Sequence, residues 1–237
     1  TFHGTDIHAK SLKSAKTTTL RLKIKLNQWA SFLCVRLYDK CGMVAKEMMQ
    51  YVPNTLKVKY EKKFFLQLLG VDYETFVPSI ASEAQKQLGL EQGHYVLFSD
   101  VANTPIKRRD IAEAIVNNMG EKYKLLIMCG VKPDVVPLYI NAADFVLLTS
   151  DEEGSPNIIR EALALNKRVY SVEVGDVAKQ LKGLSNSLIV SRNVLDAVKA
   201  ILQNLECAYT DNTRIKLQRV LDFKYLNENV IDLYENS

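Results

Sequence analysis

From residue 95 onward, five short apolar runs alternate with segments of helical pattern: Tyr95–Ser99, Leu125–Cys129, Phe145–Thr149, Val169–Val172 and Leu188–Val190. Runs that are apolar at successive positions, and not only at every second one, suit strands buried on both faces. Strands separated by helices join a sheet in parallel, with the helices packed on its faces. The pattern therefore predicts an α/β fold, a parallel sheet with helices on both faces. Helices are expected near 108–119, 134–142, 156–165, 177–182 and 193–205, with a terminal helix over 213–235. No internal repeat or low-complexity tract interrupts them. Ligands of open α/β sheets bind beyond the carboxyl ends of the strands, so the loops after Ser99, Cys129, Thr149 and Val172 are expected to line the site.

The loop after Thr149 carries the densest chemistry. It runs Ser150-Asp151-Glu152-Glu153-Gly154-Ser155-Pro156-Asn157-Ile158-Ile159-Arg160-Glu161-Ala162-Leu163-Ala164. Ser155 suits a helix N-cap and Pro156 the first helical position, where a missing amide hydrogen costs nothing. On that reading Glu153 lies in a loop and Glu161 inside a helix. The open amides of the helix start and the positive end of its dipole favour an anion such as a phosphate. A carboxylate within the helix then suits a hydroxyl-rich group attached to that phosphate.

Together with Tyr139-Ile140-Asn141-Ala142-Ala143-Asp144, the segments Glu153-Gly154-Ser155-Pro156-Asn157 and Glu161-Ala162 closely resemble the donor-binding half of family 4 glycosyltransferases. These are retaining enzymes of the two-Rossmann-domain architecture known as GT-B. The resemblance continues through Val174-Gly175-Asp176-Val177, similar to the family's Gly loop, and through Gly70-Val71-Asp72 with Phe76 and Pro78, similar to its interdomain linker. Phe2-His3-Gly4-Thr5-Asp6 is similar to the end of a strand in the acceptor-side domain. It implies that residues 1–68 are a remnant of the N-terminal acceptor-side domain, which is otherwise largely missing. Residues 69–237 are then the C-terminal nucleotide-sugar-binding domain, including a terminal crossing helix.

The resemblance also implies roles. Glu161 would accept hydrogen bonds from the nucleotide ribose hydroxyls. Glu153 would face the sugar and stabilise the positive charge that grows at its anomeric carbon, a catalytic task. Gly154, Ser155, Pro156 and Asn157 would offer backbone groups to the sugar or diphosphate, and Lys107 would grip the diphosphate. His3, as a second catalytic candidate, and Gly4 would lie across the cleft from the donor. One departure stands out: the family arginine expected shortly before Lys107 is absent, since Ala102, Asn103 and Thr104 fill that window. Either Arg108 or Arg109 substitutes from the other side of the lysine, or the grip on the phosphate is weaker than usual in the family.

Composition narrows the rest. With 47% apolar residues the 237-residue chain can bury a core. Cys34, Cys41, Cys129 and Cys207 show no paired or metal-like spacing, which reads as reduced thiols in a cytoplasmic protein. No metal and no cofactor are expected. Residues 1–63 hold 13 Lys and Arg against 4 Asp and Glu, while the remainder holds 18 against 23. The basic portion, Lys10 to Lys25, precedes an apolar cluster of Trp29, Phe32, Leu33 and Val35. That stretch suits either peripheral contact with the inner face of an anionic membrane or a solvated helix packed against another domain. Nucleic acid is a poor partner, because aromatics do not alternate with the cations at a stacking spacing.

The resemblance implies transfer of a sugar from a nucleoside-diphosphate sugar, UDP- or GDP-linked, to a saccharide or lipid-linked acceptor in polysaccharide or glycolipid biosynthesis. A non-catalytic nucleotide-sugar-binding module is the alternative. A sugar-nucleotide epimerase fits Gly154-Ser155-Pro156-Asn157 less well, and a dinucleotide oxidoreductase lacks its G-x-G-x-x-G.

Overall fold

The computed structural model describes residues 17–100, 104–208, 213–224, 226, 228 and 231. The chain divides into two compact units. One holds the described residues up to Leu69 together with Glu152–Ser155; the other holds Gly70–Asp151 and the described residues from Pro156 onward.

The larger unit is built on a five-stranded, wholly parallel sheet of β3 (His94–Ser99), β4 (Tyr123–Met128), β5 (Phe145–Leu148), β6 (Arg168–Ser171) and β7 (Leu188–Ile189), in the order β4-β3-β5-β6-β7. Each strand lies within two residues of its expected apolar run. Alternate residues serve opposite faces, so both faces need a cover. Leu97, Val146, Leu148 and Val169 bury against α3 (Ala81–Gln87), α5 (Val136–Ala142), α6 (Asn157–Ala164) and α7 (Val177–Gln180). Val96, Phe98, Phe145, Leu147 and Tyr170 bury against α4 (Arg109–Asn118) and α8 (Val194–Glu206). Each such side chain, removed from water, contributes on the order of 1.5–3 kcal/mol. Phe145 and Tyr170 meet edge to face at 4.9 Å, and the buried Tyr170 hydroxyl donates to Asn204 Oδ1 at 2.9 Å.

The Gly70–Pro78 stretch is fixed to this unit. Val71 pairs in parallel with Asp222, beside the end of α9 (Thr213–Leu221). The Arg214 guanidinium stacks 4.9 Å from the Tyr73 ring centroid and donates to the Tyr73, Phe76 and Ala164 carbonyls. Asn141 clasps the same stretch, accepting from the Ser79 amide at 3.1 Å and donating to the Val77 carbonyl at 3.0 Å. Of the terminal stripe expected over 213–235, Leu226 and Ile231 are described; Tyr225, Val230, Leu233 and Tyr234 lie outside the described residues.

The smaller unit contains α1 (Thr18–Leu37), β1 (Cys41–Met43), a 3-10 turn over Lys46–Tyr51, α2 (Asn54–Lys59) and β2 (Phe64–Leu66). β1 and β2 pair in parallel, from Cys41 with Phe64 to Met43 with Leu66. Val35, Met43, Met48, Val52 and Leu56 form its core. The apolar cluster read from the sequence is thereby split: Val35 is buried, whereas Trp29 is 63% exposed. Lys63 Nζ donates to the Tyr38 and Arg36 carbonyls at 2.7 and 3.3 Å, satisfying acceptors at the end of α1.

Candidate functional site

The strand order contains a switch point. From β3 the chain crosses to β4 on one side, then returns through α5 to β5 on the other side of β3. At such a reversal the loops leaving the two central strands diverge, and a crevice opens beyond their carboxyl ends. Here those loops run from Asp100 towards α4, carrying Lys107, and from Thr149 towards α6.

The two loops are fastened together. The Thr149 hydroxyl lies 3.0 Å from the Lys107 carbonyl and 2.9 Å from that of Arg108, and the Asp151 amide donates to the Ile106 carbonyl at 2.8 Å. Lys107 closes a 3-10 turn begun by Pro105. Arg108 then takes a left-handed conformation, φ 53° and ψ 51°, which costs a non-glycine residue about 1–2 kcal/mol. Its guanidinium grips both Asp110 carboxylate oxygens, at 2.9 and 2.8 Å, and reaches Asp151 at 3.4 Å. The Asp110 hydrogen bonds push the Arg108 pKa further up and hold the Asp110 carboxyl below its usual range. Arg109 pairs with Glu113 at 2.8 Å. Both arginines considered as substitutes for the missing family arginine are thus held by carboxylates.

Helix α6 begins one residue later than expected. Pro156, at φ −70° and ψ 122°, is its N-cap and Asn157 its first residue, so Ser155 is not the cap. The extended ψ of Pro156 explains the shift, because a helical residue needs a negative ψ. No side chain caps this end. Asn157 turns its Oδ1 to Arg160 Nη2, 2.6 Å away, and of the first-turn amides that of Ile159 donates to the Pro156 carbonyl at 3.3 Å.

Glu161 follows in the second turn. Its side chain is half-buried and makes no hydrogen bond among the described residues. Burial pushes its pKa from 4.5 up to about 7, against the opposing charge of Arg160. Arg160 is itself buried, which lowers its pKa; Asp176 and Glu161 act against that fall. Asp176 belongs to the turn after β6, where Gly175 adopts a φ of 55° that suits glycine. Its Oδ1 accepts from Gln180 at 2.6 Å. A buried arginine thus links α6 electrostatically to the Gly turn. The sequence signal for it is the polar residue that ends the apolar run Ile158-Ile159-Arg160.

Of the residues singled out in the sequence, Lys107, Pro156, Asn157 and Glu161 lie in the sheet unit, on the two loops of the switch point or the helix that follows. Glu153, Gly154 and Ser155 belong to the smaller unit. His3 and Gly4 lie outside the described residues.

No protein-family model matches the sequence, and no curated protein does. Solved structures do. The chain superposes on the HepE protein of Anabaena in complex with UDP-glucose with a TM-score of 0.72 at 14% identity, over 96% of this chain and 70% of that one. With sucrose-phosphate synthase from Thermosynechococcus elongatus the values are 0.69, 17%, 94% and 63%. The chain therefore spans less than two thirds of that protein. An isolated C-terminal domain of a group 1 glycosyltransferase, LpcC from Francisella tularensis, matches along its entire length over 65% of this chain, with a TM-score of 0.53 at 12% identity. The fold is that of a GT-B C-terminal domain. Its solved neighbours are glycosyltransferases.

Proposed function

We propose that this chain is the donor-binding part of a retaining glycosyltransferase of family 4 type, acting on a UDP- or GDP-linked sugar and a saccharide or lipid-linked acceptor. The observation that carries the reading is Glu161: a half-buried carboxylate without a side-chain hydrogen bond among the described residues, one turn into the helix that follows the switch-point strand. Ribose hydroxyls would supply the donors it lacks and favour its ionised form. Lys107 and the α6 amides would meet the diphosphate, and Glu153 with Gly154 and Ser155 would meet the sugar. In the transfer, the acceptor oxygen bonds to the anomeric carbon on the face the diphosphate leaves. The departing phosphate oxygen takes the acceptor's proton.

Helix α1 supports a lipid-linked acceptor. It carries Arg21, Lys23, Lys25 and Arg36 with no acidic residue, and Leu22, Leu26 and Trp29 are exposed along it. A basic, apolar helix of this kind adsorbs to anionic bilayers. The second reading, a binding module without turnover, is favoured by the engagement of Arg108 and Arg109 with carboxylates, which leaves the diphosphate fewer cations.

Calorimetric titration with UDP, GDP and UDP-glucose tests the reading, beside a radiolabelled transfer assay. Saturable nucleotide binding lost in Glu161→Ala is the expected result. Equal heats from wild type and variant would sink the assignment.

A further inference from the structure

Arg192 lies in the loop between β7 and α8, outside every segment named so far for donor binding. Its guanidinium forks onto two adjacent residues, with Nη1 donating to Asp151 Oδ1 at 3.0 Å and Nη2 to the Ser150 carbonyl at 2.9 Å. Arg108 Nη1 approaches the same Asp151 oxygen at 3.4 Å, from the opposite loop of the switch point. The Asp151 amide is meanwhile bonded to Ile106. Three separate loops, those after β3, β5 and β7, therefore converge on Asp151, and Glu153 follows it by two residues. The Ser150 hydroxyl, fully buried, makes no hydrogen bond among the described residues, so the backbone around it is fixed by these outer contacts and not by its own side chain.

We infer that Asp151 and Arg192 are positioning residues, which fix the point where the Glu153 loop leaves β5 and tie it to the Lys107 turn. This rests on the function proposed above for Glu153 and Lys107. The pairs are partly exposed, with side-chain exposures of 45% for Asp151 and 42% for Arg192. Exposed ion pairs add little to global stability. What this one supplies is geometry: a planar fork holds one carboxylate and one carbonyl in a fixed relation, which a single-point ammonium does not.

The test compares the full chain with Arg192→Ala, Arg192→Lys and Asp151→Ala by amide hydrogen exchange and melting. Arg192→Ala should speed exchange about tenfold in peptides covering 150–157 and 104–108 while Tm moves by no more than about 2 °C, with Arg192→Lys in between. The double variant Arg192→Ala with Asp151→Ala should lose less than the sum of the two single ones, since both remove the Arg192–Asp151 bond. Unchanged exchange in those peptides, or faster exchange everywhere with a lowered Tm, overturns the inference. This arm needs no nucleotide. In the second arm, UDP release from UDP-glucose should fall at least about tenfold in kcat with KM held. A rise in KM with kcat held would make Arg192 a ligand contact and overturn the positioning role. Absence of UDP binding by the wild type counts against the proposed function, whereas absence of turnover does not, and in either case the exchange arm decides the inference alone.

Discussion

Asn157 and Arg160 face each other one turn apart on α6, with the guanidinium Nη2 2.6 Å from the amide oxygen. The contact holds a buried cation beside Glu161, whose pKa would otherwise climb further under desolvation. Arg160→Leu is therefore expected to raise the Glu161 pKa above about 7. UDP-glucose affinity should fall severalfold at pH 7 and recover at pH 9, where the carboxylate ionises anyway. Titration at the two pH values checks it; an equal loss at both would mean that the arginine acts on the ligand directly.

The raised Glu161 pKa also fixes a pH dependence of stability. Between 4.5 and about 7 the folded state holds a proton that the unfolded state has released. Stability contributed by this site must then fall as pH rises through that window. The full difference, from 4.5 to about 7, is on the order of 3 kcal/mol at alkaline pH. Glu161→Gln removes the ionisation, so the ligand-free variant should melt above wild type at pH 8 and level with it near pH 4. Donor binding should reverse the order, since the ionised carboxylate is the better acceptor. Binding of UDP-glucose below pH 7 should release protons, readable as heats that change with buffer ionisation enthalpy.

Much of this was legible in the chain, and the reasons are physical. Phe145 to Leu148 had to be a buried strand, because four successive apolar residues leave no face for water, and the same logic located β3, β4 and β6. The helix from Asn157 was announced by its proline, although the sequence does not reveal whether ψ at Pro156 is helical or extended. Helix α3 was not foreseen: its Ala-Ser-Glu-Ala-Gln-Lys-Gln is short and polar, and it is held by Gln85, which donates to the Gly93 and Ala142 carbonyls at 2.9 Å. Long-range ion pairs were equally hidden. Arg108 and Asp151 are 43 positions apart, and no local pattern marks them as neighbours.

At Gly70 the start of the sheet unit packs closely against the closing segment. A Cβ there would stand 2.8 Å from the Phe223 Cα, 3.1 Å from its nitrogen and 3.2 Å from the Leu221 carbonyl oxygen. All three are backbone atoms, which cannot swing aside as a side-chain tip would. Gly70→Ala should cost about 2 kcal/mol and lower Tm by about 4–8 °C, with nucleotide affinity kept at lower temperature. Thermal melts with and without nucleotide check both parts.

The two glutamates of the donor segment should separate in kinetics. Glu161 sits on α6, among groups assigned to the nucleotide, which interact alike in the ground and transition states. Its loss should raise KM for the donor and leave kcat near the wild-type value. Glu153 is assigned to the reacting sugar, where positive charge develops only as the glycosyl bond breaks. Removing a group that acts on developing charge costs about 10²–10³ in kcat. Glu153→Gln should therefore lower kcat by that order while KM for the donor holds. The discriminating measurement is steady-state rate against varied nucleotide sugar, in the presence of excess chelator. Among the described residues no cluster of three or more His, Cys, Asp or Glu is placed to hold a metal. Activity abolished by the chelator and restored by manganese would replace Lys107 with a metal ion as the main counter-charge to the diphosphate. Activity that persists, with the two variants split between KM and kcat, would assign nucleotide binding to one carboxylate and chemistry to the other.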